Sequence, residues 1–226
     1  MSGENEWAER RGRMVEYQLR RRHIDNPAVL AAMGHIPREL FVPRRYQSSA
    51  YADSPLPIPK GQTISQPYIV AYMLQSLHIE AHHRVLEIGT GSGYAAAVLS
   101  QLVRHVYTIE WYPRLVSYAH QRFEKLNLHN IYLKQGDGTL GWPEHAPYDG
   151  ILVSAGGPRV PSTLLAQLAV GGRLIIPVGH EPHRQELIAV IRTDEAHYDY
   201  VNLGPVAFVP LRGQLGWSGN ALPDNG

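Results

Sequence analysis

From Arg84 onward the hydrophobic positions follow two alternating rhythms. Short apolar runs, each the length of one strand, give way to stretches where apolar residues recur every three or four positions. Val85-Leu86-Glu87-Ile88 is the first run, and Tyr94-Ala95-Ala96-Ala97-Val98-Leu99 is the helix after it. Residues 105–109 and 113–126 repeat the strand–helix pair. Residues 131–133 make a third strand, 148–154 a fourth, 161–168 a helix and 173–178 a fifth strand. This alternation predicts βαβ units and a parallel sheet covered on both faces. Past Gln185 the rhythm changes. Residues 187–191, 198–201 and 206–209 read as strands without intervening helices, closing one edge of the sheet.

Ahead of this regular part, residues 5–34 carry Met14, Val15 and Leu19, then Val29, Leu30 and Met33, at helical spacing. Pro27 is suited to open the second helix, since proline is tolerated in a first turn. Residues 35–67 are crowded with turn formers: Pro37, Pro43, Pro55, Pro57, Pro59, Gly61 and Pro67. They predict a long shaped loop with short extended pieces, and such loops often carry function.

Composition narrows the partners. With 44% hydrophobic and 18% charged residues, the 226-residue chain is that of a globular protein. A net charge of +1 gives no reason to expect nucleic acid or an anionic membrane. No apolar stretch approaches the ~20 residues that cross a bilayer. Cysteine is absent, which removes disulfides and thiol chemistry and makes the cytoplasm the expected location. His78, His82 and His83 cluster without an evident carboxylate ligand set, so no metal is expected. The arginines at 10, 11, 13, 20, 21 and 22 alternate with glutamates and read as a solvated helix face.

The chemistry begins at the end of the first regular strand. Glu87-Ile88-Gly89-Thr90-Gly91-Ser92-Gly93-Tyr94 is a glycine loop that lets the backbone pass close to a ligand. A dinucleotide site wants G-x-G-x-x-G, and here the third glycine comes one position early, with Tyr94 in its place. Glu87, just ahead of the loop, would repel a pyrophosphate and attract the amino group of a zwitterion. Both features favour S-adenosylmethionine, and the fold they imply is a Rossmann-like methyltransferase sheet with an N-terminal helical and loop extension. Glu110, at the end of the second strand, stands where a carboxylate takes the ribose hydroxyls. Gly136-Asp137-Gly138 follows the third strand at the rim of the same crevice, where Asp137 can meet the adenine amino group and Gly138 keeps the wall thin.

The fourth strand is followed by Ser154-Ala155-Gly156-Gly157-Pro158, which lacks the amide and aromatic that hold an amine nucleophile. A carboxylate nucleophile is already ionised at neutral pH and needs orientation rather than a base. Gly61-Gln62-Thr63-Ile64-Ser65-Gln66-Pro67-Tyr68, with the approach from Ala50 to Ile58, resembles the signature of the protein-L-isoaspartate (D-aspartate) O-methyltransferase family. The stretches 36–43, 85–94, 171–179 and 208–211 are similar to its other landmarks, so the resemblance runs from about 14 to 217. It implies methyl transfer from S-adenosylmethionine to the carboxylate of isoaspartyl residues in damaged proteins, by a monomer. Ser65 is then the active-site serine, with Thr63 sharing its role, and Ile64, Gln66, Tyr68 and Val209 touch substrate. Residues 1–78 contribute part of the substrate site and 79–226 form the core, within one compact unit. Residues 206–211 would offer backbone hydrogen bonds to an extended peptide. The chain departs from the family at Gly156 and Gly157, where alanines and prolines are common, and at Ala207, where bacterial members often carry arginine. The alternatives are a carboxyl methyltransferase for one dedicated peptide or other acid, and a cofactor-holding recruiter of damaged proteins without turnover.

Overall fold

The computed structural model describes residues 2–182 and 184–217. Its main sheet has seven strands: β3 (Arg84–Ile88), β4 (His105–Glu110), β5 (Ile131–Gln135), β6 (Tyr148–Val153), β7 (Leu168–Glu181), β8 (Arg184–Arg192) and β9 (Tyr198–Val206). Two short strands before them, β1 (Leu56–Pro57) and β2 (Thr63–Ile64), form a separate hairpin. The order across the main sheet is β5-β4-β3-β6-β7-β8-β9. β3 to β7 run parallel, whereas β8 and β9 are antiparallel additions at one edge. Strand order reverses between β3 and β6, so the crevice above their carboxyl ends is a topological switch point.

Alternation along each strand divides the core in two. Val85, Val106, Leu152 and Ile175 face one layer, where they pack with Met33, Leu74, Val98 and Phe123. Leu86, Tyr107, Ile151 and Leu174 face the other, against Leu164 and Tyr148. The first layer holds α2 (Pro27–His35), α3 (Pro67–Ser76), α4 (Tyr94–Leu99) and α5 (Pro113–Lys125); the second holds α6 (Ser162–Ala166). The N-terminal residues therefore share a core with the sheet. α1 (Ser2–Arg13) continues through a π-helical turn to Leu19, and left-handed His23, at φ 64°, ends that rod. Asn26 then caps α2, its Oδ1 accepting from the N–H groups of Ala28 and Val29, while Pro27 fills the first turn. On α1 and its continuation, Arg10 pairs with Glu6 and Arg20 with Glu16, all exposed. No helix among the described residues is long and apolar enough to cross a membrane.

Two boundaries differ from the pattern reading. The helix expected over 161–168 is shorter, because Leu168 already pairs with Tyr148 as the start of β7. The expected strands 198–201 and 206–209 are not separate. Gly204, at φ 109°, absorbs a register shift within one continuous β9, and the chain leaves the sheet at Ala207.

Gly93 is fixed by both backbone conformation and packing. Gly93 caps α4 with φ 90°, and a Cβ there would lie 2.7 Å from the Phe123 ring. Gly93→Ala should cost about 2–5 kcal/mol from backbone strain and overpacking, read as a lowered midpoint in denaturant.

Candidate active site

The crevice at the ends of β3 and β6 is lined by three parts of the chain that lie far apart in sequence. The first is the glycine loop. Gly89, at φ 90°, turns the chain off β3, and its N–H donates to the Ile109 carbonyl of β4. Gly91, at φ 56°, donates its N–H to Glu110 Oε2 at 2.8 Å, and Tyr112 N–H donates to Glu110 Oε1 at 2.9 Å. With about four acceptor sites on its two oxygens, the Glu110 carboxylate keeps capacity for a further donor. Burial holds the Glu110 carboxyl above its ordinary pKa, against the backbone donors that lower it.

Glu87 lies deeper and is fully buried. Its Oε2 accepts from the Thr108 hydroxyl at 2.6 Å, and Thr108 lies 2.6 Å from the Thr90 hydroxyl. Its other oxygen, Oε1, is buried without a partner. Burial pushes this carboxyl up to about 8. An orphaned carboxylate oxygen at a cavity wall is an unmet demand for a donor, and an ammonium group would satisfy it.

The second part is the hairpin. Leu56 pairs with Ile64 and Pro57 with Thr63, and Ile58 reaches over the glycine loop to within 3.5 Å of a Cβ built on Gly91. Thr63, Ile64 and Ser65 line the cavity from this side. The third part is the C-terminal strap, residues 207–217. Its Val209, Pro210, Leu211 and Arg212 face the cavity. Gly156 N–H donates to the Val209 carbonyl, and the Gly156 carbonyl accepts from Leu211 N–H and Trp217 Nε1. Farther on, Gln214 N–H donates to Asp137 Oδ2 at 2.7 Å.

Of the residues singled out from sequence, Thr63, Ile64, Ser65, Glu87, Gly89, Thr90, Gly91, Ser92, Glu110, Gly138 and Val209 line this one cavity. Four others lie outside its lining. Asp137 spends its carboxylate on Thr139 N–H and Oγ1 and on Gln214 N–H, so it anchors the strap. Gly93 serves the packing described above. Gln66 Nε2 donates to the backbone and side chain of Asp53, and Tyr68 stacks between Tyr72 and the Arg22 guanidinium. Gly156 makes a firm wall: its two backbone groups hold the strap, and a Cβ would lie 2.7 Å from Gln185. Nor does the strap offer its whole backbone to a peptide. Phe208 N–H donates to Gln185 Oε1, and the Val209 and Leu211 groups already serve Gly156.

Sequence reasoning missed Trp111, Tyr112 and Arg212, all lining residues, while Ser154 and Ala155, read there as the segment after the fourth strand, line the cavity as well. Aromatics directly after the acid of β4 were a readable signal. Ser154 and Ala155 are brought in by sheet order, and Arg212 by the strap that Gly156 and Asp137 hold. Away from the cavity, Glu80 does stand with His82 and His83, contrary to the expectation of no carboxylate there. His83 Nδ1 already accepts Glu80 N–H, which places the ring proton on Nε2 and leaves that ring without a free lone pair.

Comparison with known proteins fits this geometry. A protein-L-isoaspartate O-methyltransferase 1 of Geotalea uraniireducens is 58% identical over 210 residues, spanning 93% of this chain and 96% of the relative. The corresponding protein of Protochlamydia amoebophila is 54% identical over 204 residues, 90% of this chain and 97% of that one. A solved protein-L-isoaspartate O-methyltransferase superposes with a TM-score of 0.83 at 30% identity, covering 91% of this chain and 67% of that chain. A Plasmodium falciparum relative in complex with S-adenosyl-L-homocysteine, 24% identical, shares the fold at a TM-score of 0.77, over 89% of this chain and 98% of its own. The sequence pattern of the protein-L-isoaspartate(D-aspartate) O-methyltransferases matches residues 9–216, which include the glycine loop, the hairpin and all but the last residue of the strap, and the chain belongs to that family.

Proposed function

We propose that this crevice binds S-adenosylmethionine along the glycine loop and presents an isoaspartyl carboxylate to it beside Ser65. The observation that carries the reading is that Thr63, Ile64 and Ser65 of the hairpin share one cavity with the glycine loop and both strand-end acids. Glu87 Oε1 fits the cofactor's ammonium, Glu110 its ribose hydroxyls, and Gly138 leaves the wall thin, since any Cβ there would run into Ile88. When bound, the cofactor supplies a sulfonium methyl group for in-line displacement.

The chain's own residues then have little covalent work to do. The substrate carboxylate carries its lone pair already ionised, so no base is required. Ser65, half-buried just after β2, donates a hydrogen bond from its hydroxyl to one carboxylate oxygen and leaves the other for attack. Thr63, more exposed, borders the approach. The glycine loop and hairpin together exclude water and hold the two reacting groups in line, the main source of rate. The product is a methyl ester on the damaged residue, the first step of its repair.

Ser65→Ala should lower turnover about 10- to 100-fold while affinity for S-adenosylhomocysteine changes less than about threefold, because only a transition-state contact is lost. Steady-state methyl transfer and calorimetric titration read the two quantities. A covalently methylated Ser65 in quenched mass spectra would contradict the orienting role.

A further inference from the structure

Arg38 is fully buried in the turn between α2 and the proline-rich approach. Its Nε donates to the Ala50 carbonyl at 2.7 Å and its Nη2 to the Ser65 carbonyl at 2.8 Å. Those carbonyls bracket the whole segment that carries the β1–β2 hairpin. The guanidinium also lies 4.9 Å from the ring centroid of Tyr94, the first residue of α4 after the glycine loop. Among the described residues no carboxylate forms an ion pair with it, and Nη1 has no hydrogen-bond partner. The adjacent Glu39 carboxylate is committed to the Tyr51 hydroxyl.

Burying a cation without a counterion is costly, and two carbonyls and a ring face offset that cost only in part. Desolvation draws the guanidinium down to about 10, with Tyr94 and Tyr51 opposing, so it stays charged at neutral pH. A neutral apolar side chain would fill the space more cheaply, but it would not tie two carbonyls to one another and both to α4. The planar fork of an arginine does so, and a lysine ammonium on a flexible stem does not hold the same directions.

We infer that Arg38 is the positioning residue that sets the hairpin carrying Thr63 and Ser65 against the cofactor loop. It touches neither reacting group. It fixes both ends of the substrate-bearing segment to the helix that begins where the glycine loop ends. The inference rests on the reading that the hairpin orients the substrate carboxylate.

The test is Arg38→Lys, with kcat counted per S-adenosylhomocysteine-binding site and the rate ratio measured on isoaspartyl and aspartyl versions of one peptide. A displaced hairpin should lower kcat at least about tenfold and narrow the isomer ratio at least about tenfold, with S-adenosylhomocysteine affinity within about threefold. Unchanged kcat and ratio per site, with only a lower melting temperature, would reduce Arg38 to a stabilising residue and overturn the inference. Cofactor affinity falling in step with kcat would overturn it too. A second variant guards against a failure to fold: an ester in place of the Ser65–Gln66 amide, made with the α-hydroxy analogue of glutamine. It weakens the Ser65 carbonyl as an acceptor and leaves every side chain in place, and the same pattern is expected; wild-type kcat and ratio in the ester protein would overturn the inference. A wild-type enzyme that does not separate the isomers would instead defeat the functional reading on which the inference rests.

Discussion

Offered two peptides of one sequence, one carrying an isoaspartyl and the other a normal aspartyl linkage, the enzyme should methylate the isoaspartyl form at least ~100-fold faster. The two isomers bear the same charge, so electrostatics does not separate them. They differ in where the main chain runs and in how far the carboxylate stands from it. In the isoaspartyl form the carboxylate is a short branch of a lengthened backbone. A site separates the two by holding the flanking chain while accepting a carboxylate at one depth, and a misplacement of about 1 Å costs about 100-fold. The walls suit that task. The hairpin is stiffened by Pro55, Pro57 and Pro59, and the strap is tied to the loop after β6 through both backbone groups of Gly156. Because Val209 and Leu211 spend hydrogen bonds on Gly156, the strap acts as a rigid boundary more than as a docking strand. Tolerance of neighbouring sequence should therefore be broad. Incorporation of labelled methyl into paired peptides with several flanking sequences measures both properties, and equal rates on the two isomers would refute the assignment.

Cofactor binding should expel a proton. The buried Glu87 carboxyl is raised from 4.5 to about 8, with the Thr108 hydroxyl bond opposing the rise and Glu110 adding to it. At neutral pH the unliganded site mostly keeps its proton, and an incoming ammonium favours the ionised form. Affinity for S-adenosylhomocysteine should then tighten about tenfold for each unit that pH rises toward that value, roughly 100-fold across two units. Titration in two buffers of different ionisation enthalpy should count about one proton released, and Glu87→Gln should flatten the slope. A slope unchanged in that variant would assign the proton to another group. Stability of the unliganded protein runs the opposite way with pH. The unfolded carboxyl ionises near 4.5 while the folded one holds its proton to about 8, so this contribution is full below the lower value. It is lost as pH rises through the window. The unliganded melting temperature should fall across that range, and the ligand should restore it most at the alkaline end.

The parallel core was legible because its strands are buried on both faces and read as unbroken apolar runs, as 151–153 and 174–176 do. The glycine loop was legible because its neighbours in sequence are its neighbours in space, and Glu110 because it ends the next strand, about twenty residues after the first glycine. What could not be read is the inward or outward aim of a loop side chain, which distant partners decide. Asp137 turns to Gln214, Gln66 to Asp53 and Tyr68 to Arg22, and none of these pairings leaves a periodic trace. Arg38 escaped for a stronger reason. An arginine among prolines reads as surface, and only the three-dimensional enclosure by Ala50, Ser65 and Tyr94 removes it from water.

The crevice takes one wall from the hairpin near residue 60 and another from the strap beyond residue 206, with the sheet strands between them. During synthesis, the glycine loop and the hairpin leave the ribosome long before the strap that completes the pocket. A nascent chain that stops short of the strap lacks that wall of the crevice, so methyl transfer is expected only once residues 207–217 have emerged and met Gly156 and Asp137. Proteolytic removal of that segment from mature enzyme would have the same result, silencing activity while most of the sheet endures.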